Sequence, residues 1–128
     1  MLTTGVDIIE ISRIQQVLDR YGQRFLSRIF TPSEIDYCNG RSPNLAGRFA
    51  VKEAVMKALG TGIRGGGWKE IEVVRAESGA PSLKLYGRAE KRADRLRVSQ
   101  ISVSISHSRE YAVAFVVAQR DDQSGLTQ

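Results

Sequence analysis

One stretch of this 128-residue chain decides its fold: Gly47-Arg48-Phe49-Ala50-Val51-Lys52-Glu53-Ala54-Val55-Met56-Lys57-Ala58-Leu59-Gly60. At roughly 100° per residue its apolar side chains surround the helix axis, which is typical of a helix buried on every side. The segment also carries three cations and one anion, and burying a charge is costly unless it is paired or binds a ligand. We therefore expect an anion from outside the sequence, most simply a substrate, beside this helix.

Composition and charge narrow the function classes without choosing one. The hydrophobic share of 41% and the charged share of 26% are ordinary for a soluble globular protein. A net charge of +5 favours an acidic partner, whether nucleic acid, a membrane surface, a phosphorylated small molecule or an acidic protein. The single cysteine, Cys38, excludes an intramolecular disulfide and a cysteine-rich zinc site, and a small apolar role is expected for it. No basic segment followed by an apolar run opens the chain, so a cytoplasmic protein is expected.

The residues before the buried helix predict one strand and three helices. The strand and the first two helices are expected at residues 3–9, 10–21 and 23–29. Thr31, Pro32 and Glu34 form a strong helix start, with a capping threonine, a proline at the first position and a glutamate three residues after the cap. This third helix should end near Asn39 and Gly40.

Beyond the buried helix the pattern changes from helical to alternating. Strands are expected at residues 71–74, 82–86, 101–106 and 111–118, and a helix with a charged outer face at residues 87–96. The longest apolar run is far too short to span a bilayer. We predict one α+β domain over residues 1–119, in which an antiparallel sheet packs against the long buried helix and smaller helices, with a disordered tail at 120–128.

Two carboxylates stand in apolar surroundings, far apart in the sequence. Asp7 lies near the end of the first strand, two residues after Gly5, and Glu53 lies in the buried helix. Each has a simpler interpretation, Asp7 as the cap of the following helix and Glu53 as the partner of Lys57 four residues later. Taken together, two carboxylates are the usual protein share of a magnesium site, which water and phosphate oxygens complete.

The single histidine, His107, directly follows an alternating strand. A lone histidine at a strand end is more often a structural hydrogen-bond partner than a catalyst, but the neighbouring hydroxyls of Ser106 and Ser108 favour contact with an anion. Without other histidines or cysteines it cannot belong to a zinc site of the common types. No nucleophile-elbow sequence supports a Ser-His-Asp triad.

The glycine-rich segment 60–67 is not a nucleotide P-loop, because it lacks the Gly-Lys-Ser/Thr ending and follows a helix rather than opening one. A flexible connection is the simpler interpretation of this segment, and a loop that covers a substrate is the alternative.

Four arginines recur along the first two predicted helices: Arg13, Arg20, Arg24 and Arg28. If these helices are nearly continuous, the four lie on one ridge beside the apolar residues Val17 and Phe25. Solvated charge is the default interpretation of such a row, and an interface for an acidic helix is the sharper one.

Several segments carry a resemblance to a known family, in the family's order and over nearly the whole domain. They are Gly5-Val6-Asp7-Ile8 with Arg13, Arg48-Phe49-Ala50-Val51-Lys52-Glu53-Ala54 with Lys57-Ala58, Gly60-Thr61-Gly62, Trp68 with Ile71-Glu72-Val73, Gly79-Ala80-Pro81, and Ser104-Ile105-Ser106-His107. With these segments the chain resembles the holo-acyl-carrier-protein synthases, the small bacterial class of 4'-phosphopantetheinyl transferases. The first two segments together are specific, whereas the glycine and proline matches are not.

The resemblance implies transfer of the phosphopantetheine arm of coenzyme A to a serine hydroxyl of apo acyl carrier protein, an acidic protein of fatty acid biosynthesis. The by-product is adenosine 3',5'-bisphosphate. In the family, the residues matching Asp7 and Glu53 bind a divalent ion, usually magnesium, with manganese as the alternative. The family also forms trimers with active sites at the subunit interfaces, so a homotrimer is expected.

The resemblance and the residues together give roles to individual side chains. Asp7 and Glu53 are expected to hold the metal, and Lys57 to stabilise the pyrophosphate in the transition state, which makes these three the catalytic set. Coenzyme A contacts are expected from Arg48, Lys52, Ser106 and His107, the first two touching phosphates or pinning the site together and the last two lying near the nucleotide, across a subunit boundary. Glu53, Asp7 and a water on the metal all remain open as the base for the incoming serine.

The acidic carrier protein is expected to dock on the arginine row, with two apolar anchors. This docking set comprises Arg13, Val17, Arg20, Arg24, Phe25 and Arg28. Which carrier proteins are accepted is not encoded in any pattern of the sequence.

Two rival functions follow from other features. The pI of about 9.7 and the arginine-rich helices favour a small nucleic-acid-binding module, but an aromatic content of 7% and the lack of a known nucleic-acid motif oppose it. The other rival is an oligomer that has kept the fold and lost catalysis, which Asp7, Glu53 and Lys57 oppose. We therefore expect neither nucleic acid nor a membrane as the partner.

Overall fold

The computed structural model describes residues 1–60 and 67–121. Its elements, in chain order, are β1 (Leu2–Glu10), α1 (Ile11–Tyr21), α2 (Gln23–Ile29), α3 (Pro32–Cys38), α4 (Ser42–Ala58), a 3-10 turn (Gly67–Glu70), β2 (Ile71–Arg75), β3 (Pro81–Leu85), α5 (Gly87–Arg95), β4 (Val98–His107) and β5 (Tyr111–Arg120). Every strand and helix predicted from the sequence is present, and the ends differ by a few residues. The α+β class is confirmed.

The strands form two antiparallel sheets, where the sequence predicted one. β1, β5 and β4 pair in that order, and β2 pairs with β3 as a separate hairpin. The hairpin stays separate because its buried residues, Ile71 and Val73, pack into the core around α4 instead of extending the three-stranded ladder. The predicted antiparallel sheet against the long buried helix is confirmed as β1-β5-β4, and the β2-β3 hairpin forms a second, two-stranded sheet beside it.

α4 is the centre of the molecule, as its all-round apolar pattern predicted. Its residues belong to both hydrophobic clusters, one shared with β2, β4, β5 and α5 and the other with α1, α2 and α3. It lies against the three-stranded sheet at close range because small residues face each other. A Cβ on Gly5 of β1 would lie 1.9 Å from the carbonyl oxygen of Ala54, and one on Gly47 would lie 2.9 Å from the side chain of Ile105 in β4.

The ends of two helices follow the local signals. Thr31 and Glu34 form the predicted capping box of α3, and Asn39 ends that helix in the left-handed conformation with φ of 48°. Gly22 separates α1 from α2 with φ of 53°, a value that favours glycine. The two helices are therefore not continuous, and the condition behind the single arginine ridge is not met.

Two further predictions concern the glycine-rich segment and the carboxyl-terminal tail. The glycine-rich connection lies largely at residues 61–66 and most of the tail at 122–128, outside the described residues. β5 continues through Arg120, one residue into the predicted tail. The backbone N–H of Arg120 donates a hydrogen bond to the carbonyl of Met1, and the side chain of Arg120 donates one to the carbonyl of Leu96. Within residues 1–60 and 67–121, no helix has the length and hydropathy needed to cross a membrane.

Candidate active site

β1 and α4 bring the two predicted carboxylates together. Asp7 lies on the same face of β1 as Gly5, because side chains alternate along a strand, and this face meets α4. Lys57 of α4 donates hydrogen bonds to the carbonyl of Val6 at 2.8 Å and to Asp7 Oδ1 at 3.2 Å. Glu53, one helical turn earlier, is close enough for the charge of Asp7 to act on it.

The surroundings of Glu53 raise the pKa of its carboxyl group. Burial raises the pKa of the Glu53 carboxyl, the negative charge of Asp7 raises it further, and the ammonium of Lys57 partly offsets both effects. Two carboxylates held this close, with the Lys57 ammonium paired to one of them, form a site that gains free energy by taking up a cation.

Asp7 and Glu53 open into a cleft of about 520 Å³, here called the acidic cleft. Its wall is otherwise mainly apolar and includes Phe49, which stacks on Trp68 with ring centres 4.9 Å apart. Three residues of the predicted docking set, Arg13, Val17 and Phe25, also line it. The cleft therefore joins a charged end to an apolar wall with a cation at its rim, a combination suited to a polar reaction on a large, partly apolar substrate.

The other predicted docking residues lie outside this cleft. Arg20, Arg24 and Arg28 are exposed on α1 and α2. The Arg20 guanidinium lies 5.3 Å from the ring centre of Tyr21. Because Gly22 breaks the helix between them, the arginines do not form one straight row, and of the four only Arg13 lines the acidic cleft.

Lys52 does not lie in a cleft, and its burial contradicts the prediction that it contacts phosphate. Its side chain is 0% exposed and its ammonium lies 2.8 Å from Glu34 of α3, which is also 0% exposed. Two carbonyls accept its other hydrogen bonds, that of Trp68 at 3.1 Å and that of Ile71 at 2.5 Å. Burial lowers the pKa of Lys52, and the charge of Glu34 opposes that effect. The alternative prediction, that Lys52 pins elements together, agrees with these contacts.

Glu34 is therefore the anion that pairs with Lys52, and it was not identified from the sequence. One of its oxygens accepts from the backbone of Thr31 at 2.9 Å, and the other accepts from the backbone of Val73 at 2.8 Å. The capping-box pattern identified Glu34 as the start of a helix but gave no sign that it also pairs with a lysine of another helix.

A second cleft, of about 210 Å³, lies beside the amino-terminal part of α4 and is here called the arginine cleft. It is lined by Tyr37, Pro43, Asn44, Gly47, Arg48, Arg75, Gly79, Pro81, Ile105 and His107. The Arg48 guanidinium lies 4.3 Å from the ring centre of Tyr37, and that of Arg75 lies 5.1 Å from it. Sequence reasoning identified Arg48 and His107 but missed Tyr37 and Arg75, which no local pattern connects.

The arginine cleft has an excess of positive charge. Arg48 is 7% exposed, and its Nε atom has no hydrogen-bond partner among the described residues. Across residues 1–60 and 67–121, no carboxylate lies within 4.0 Å of Arg48 or Arg75. A buried guanidinium without a carboxylate favours a bound anion, because the charge is otherwise left without compensation.

The two clefts lie at opposite edges of the three-stranded sheet. The acidic cleft takes Asp7 from β1, and the arginine cleft takes His107 from β4, while β5 separates these strands. Ser106 alternates with His107 and is exposed on the other face of the sheet, so it does not line the arginine cleft. One copy of the chain therefore does not bring all the predicted site residues together.

The sheet face that turns away from α4 is apolar and exposed. Val6 of β1 is 52% exposed and Ile8 is 63% exposed, and their partners in register on β5 are Phe115, 46% exposed, and Val113. Ser104 and Ser106 of β4 continue this face. An apolar patch of this kind on a folded domain marks a surface that another molecule covers.

Comparison with known proteins now defines the class of this chain. The family model of the 4'-phosphopantetheinyl transferase superfamily matches residues 3–116, and the chain belongs to this superfamily. Within it, the chain is 55% identical over 119 residues to the holo-[acyl-carrier-protein] synthase of Dehalococcoides mccartyi, which covers 93% of this chain and 99% of that protein.

Solved structures agree with the fold. The holo-[acyl-carrier-protein] synthase of Helicobacter pylori in complex with coenzyme A superposes with a TM-score of 0.80 at 36% identity, covering 91% of this chain and 99% of that one. The Bacillus anthracis enzyme in complex with coenzyme A (3',5'-ADP) has a TM-score of 0.75 at 36% identity and covers 93% of this chain and 96% of that one.

Proposed function

We propose that this protein transfers the 4'-phosphopantetheine group of coenzyme A to a serine of apo acyl carrier protein, in agreement with its superfamily and with the name of its relatives, holo-[acyl-carrier-protein] synthase. The serine oxygen attacks the phosphorus that carries the pantetheine arm. The bond from this phosphorus to the bridging oxygen breaks, and adenosine 3',5'-bisphosphate leaves. The observation that carries the proposal is that β1 and α4 bring Asp7 and Glu53 together at one cleft, with Lys57 hydrogen-bonded to Asp7.

The donor atoms of the acidic cleft fit a magnesium ion shared with the substrate. Among residues 1–60 and 67–121, no group of three or more His, Cys, Asp and Glu side chains could enclose a metal. Two carboxylates with open space beside them suit magnesium, which keeps several water ligands and binds through one or two carboxylates and substrate phosphates. We propose Asp7 and Glu53 as these ligands, for magnesium or alternatively manganese. When bound, the ion would neutralise charge on the pyrophosphate.

Two further tasks, stabilising the transition state and accepting the serine proton, are assigned to groups around the carboxylate pair. Lys57 is 54% exposed and can turn from Asp7 toward a pyrophosphate oxygen, where its charge would stabilise the transition state. The serine proton must pass to a base in the same cleft. Glu53, Asp7 and a water on the metal are the candidates for this base.

The arginine cleft suits the adenosine 3',5'-bisphosphate half of coenzyme A. Arg48 is pre-oriented by Tyr37 and has an unpaired Nε atom, and Arg75 and His107 line the same space. Guanidinium groups bind phosphate with two parallel hydrogen bonds, which makes them more selective than ammonium groups. We retain Ser106 as a contact from a neighbouring subunit, since it lies on the apolar sheet face.

We propose a homotrimer, because a complete site needs the acidic cleft of one copy and the arginine cleft of another. The clefts lie at opposite sheet edges, so the contact between copies would be head to tail, and such contacts form a closed ring when the rotation between copies closes, as a threefold rotation does in a trimer. The exposed apolar face with Val6 and Phe115 would be covered in this ring.

The carrier protein would approach the apolar end of the acidic cleft. Arg13 at its rim would pair with an acidic side chain, and Val17 and Phe25 would supply apolar contact. The exposed Arg20, Arg24 and Arg28 would attract the acidic carrier over a longer range. We place this reaction in the cytoplasm and in fatty acid biosynthesis.

The intact mass of an apo acyl carrier protein tests the reaction class. After incubation with this protein, coenzyme A and magnesium, the carrier should gain one phosphopantetheine, and chelation of the metal should prevent the gain. Asp7→Asn and Glu53→Gln should nearly abolish transfer, while Asp36→Asn should retain it, because Asp36 is an exposed carboxylate of α3 that lines neither the acidic cleft nor the arginine cleft. A folded wild type that modifies none of several carriers would refute the proposal.

A further inference from the structure

α5 presents a one-sided basic surface. At roughly 100° per residue, its four basic residues fall within an arc of about 100°, and its two acidic residues, Glu90 and Asp94, fall on the other side. The buried Ala93 marks a third side, which faces the core. We call the basic side the α5 basic face; it consists of Arg88, Lys91, Arg92 and Arg95.

The α5 basic face lines a hollow, and within the described residues two of its four cations have no carboxylate nearby. With Gly60 its side chains enclose a hollow of about 380 Å³. Arg92 donates to the carbonyl of Leu59 at 3.0 Å, and Arg88 lies 3.6 Å from a carboxylate oxygen of Glu70. In the described part of the chain, no carboxylate lies within 4.0 Å of Lys91 or Arg95, and both are exposed. The face therefore keeps a net positive charge that a negatively charged partner would compensate.

This face adjoins the elements of the proposed site. The backbone of Gly60 donates a hydrogen bond to the carbonyl of Lys57 at 3.1 Å, so the hollow begins one turn beyond the lysine that pairs with Asp7. The 3-10 turn contacts both α2 and α5 and carries the exposed Lys69. Exposed basic residues are therefore present on three elements that are in contact, α2, the turn and α5.

We infer that the α5 basic face is a second docking surface for the acidic carrier protein, an inference that rests on the proposed function. The phosphates of coenzyme A already have cationic groups in the arginine cleft and at Lys57. A strip of cations about 10 Å long on a helix instead matches a row of acidic side chains on another protein. Because these ion pairs between the two proteins would be exposed to solvent, they would raise the association rate, and this effect would weaken as the salt concentration rises.

Lys91→Glu tests the inference, and Lys84→Glu is its control. Lys84 is an exposed lysine of β3, so both variants change the net charge by the same amount. We expect Lys91→Glu to weaken binding of apo carrier protein, and to raise its KM, by roughly fivefold at low salt. The KM for coenzyme A and kcat should stay within about twofold, and Lys91→Arg should bind carrier as the wild type does.

Carrier binding should be measured directly, without coenzyme A, beside the transfer assay. Unchanged carrier affinity in Lys91→Glu and in the double variant Lys91→Glu/Arg95→Glu would overturn the inference, while wild-type transfer would leave the proposed function intact. If the wild type binds the carrier through this face but transfers nothing, the inference holds and the proposed function fails. Loss of affinity for a short DNA duplex with unchanged carrier affinity would identify a nucleic-acid surface and overturn the inference.

Discussion

Two lysines of α4, five residues apart, should respond in opposite ways to the same substitution. Lys52→Met removes an ammonium that is 0% exposed and leaves the carboxylate of Glu34 buried without its ion pair. Breaking a buried pair from one side costs about 3–5 kcal/mol. Lys57→Met removes an ammonium that is 54% exposed, and exposed pairs of this kind contribute about 0–1 kcal/mol.

Activity should follow the reverse order. Lys57 lies next to Asp7, so its loss should lower the transfer rate by about a hundredfold or more, as expected when a group that stabilises transition-state charge is removed. Lys52 has its hydrogen bonds to Glu34, Trp68 and Ile71 and none to the clefts. Folded Lys52→Met should therefore bind coenzyme A within about twofold of the wild type.

Urea unfolding followed by circular dichroism at one protein concentration gives the stability of each variant, and transfer rates are compared at low temperature, where both are folded. A total stability of about 5–15 kcal/mol leaves room for a loss of this size. Lys52→Met/Glu34→Gln should regain at least about 1 kcal/mol, because no unpaired charge remains buried. The reasoning fails if Lys52→Met is as stable as the wild type but binds coenzyme A poorly, since Lys52 would then be a phosphate ligand.

Three further variants test the geometry of the site. Gly5→Ala should destabilise the protein and lower transfer. The added Cβ would lie 1.9 Å from the carbonyl oxygen of Ala54 and would push β1, with Asp7, away from α4. A melting temperature equal to that of the wild type would contradict this. Glu53→Gln should lose transfer when magnesium is present. In chelator, this variant should melt at a higher temperature than the wild type at pH 7. The folded-state pKa of Glu53 is raised, so its ionised form opposes folding, and wild-type stability falls as pH rises from the unfolded value through the raised one. An equal or lower melting temperature would show that the carboxylate is not strained. Phe115→Lys should convert an oligomer to monomer by light scattering without changing the circular dichroism spectrum, and an unchanged mass would place the subunit contact elsewhere.

Local patterns predicted local structure well. The capping threonine and glutamate of α3, the glycine between α1 and α2 and the alternation in β4 act within a few residues, so their effects are visible in the sequence. The burial of α4 was also predictable, because a helix with apolar residues on all sides has no face left for solvent.

The pairing of charges was not predictable in the same way. The sequence showed an excess of cations in α4 and led to the expectation of an external anion. Glu34 supplies the anion for Lys52, and Asp7 supplies it for Lys57. Each partner is far away in the chain, and no spacing rule connects them. Within the described residues, Arg48 is therefore the cation of α4 that has no carboxylate partner, and it keeps an unpaired Nε atom, whereas Lys57 would have to turn from Asp7 to contact a substrate anion.

Periodicity and turn signals along the chain were enough to predict the elements and the α+β class, and the resemblance to a known family implied the reaction and its residues. The tertiary structure alone decided where those residues meet. The contact of Gly5 with α4 places Asp7 beside Lys57, whereas the order β1-β5-β4 puts His107 at the opposite edge of the sheet. Such positions arise from packing between residues distant in sequence, which a pattern along the chain does not contain.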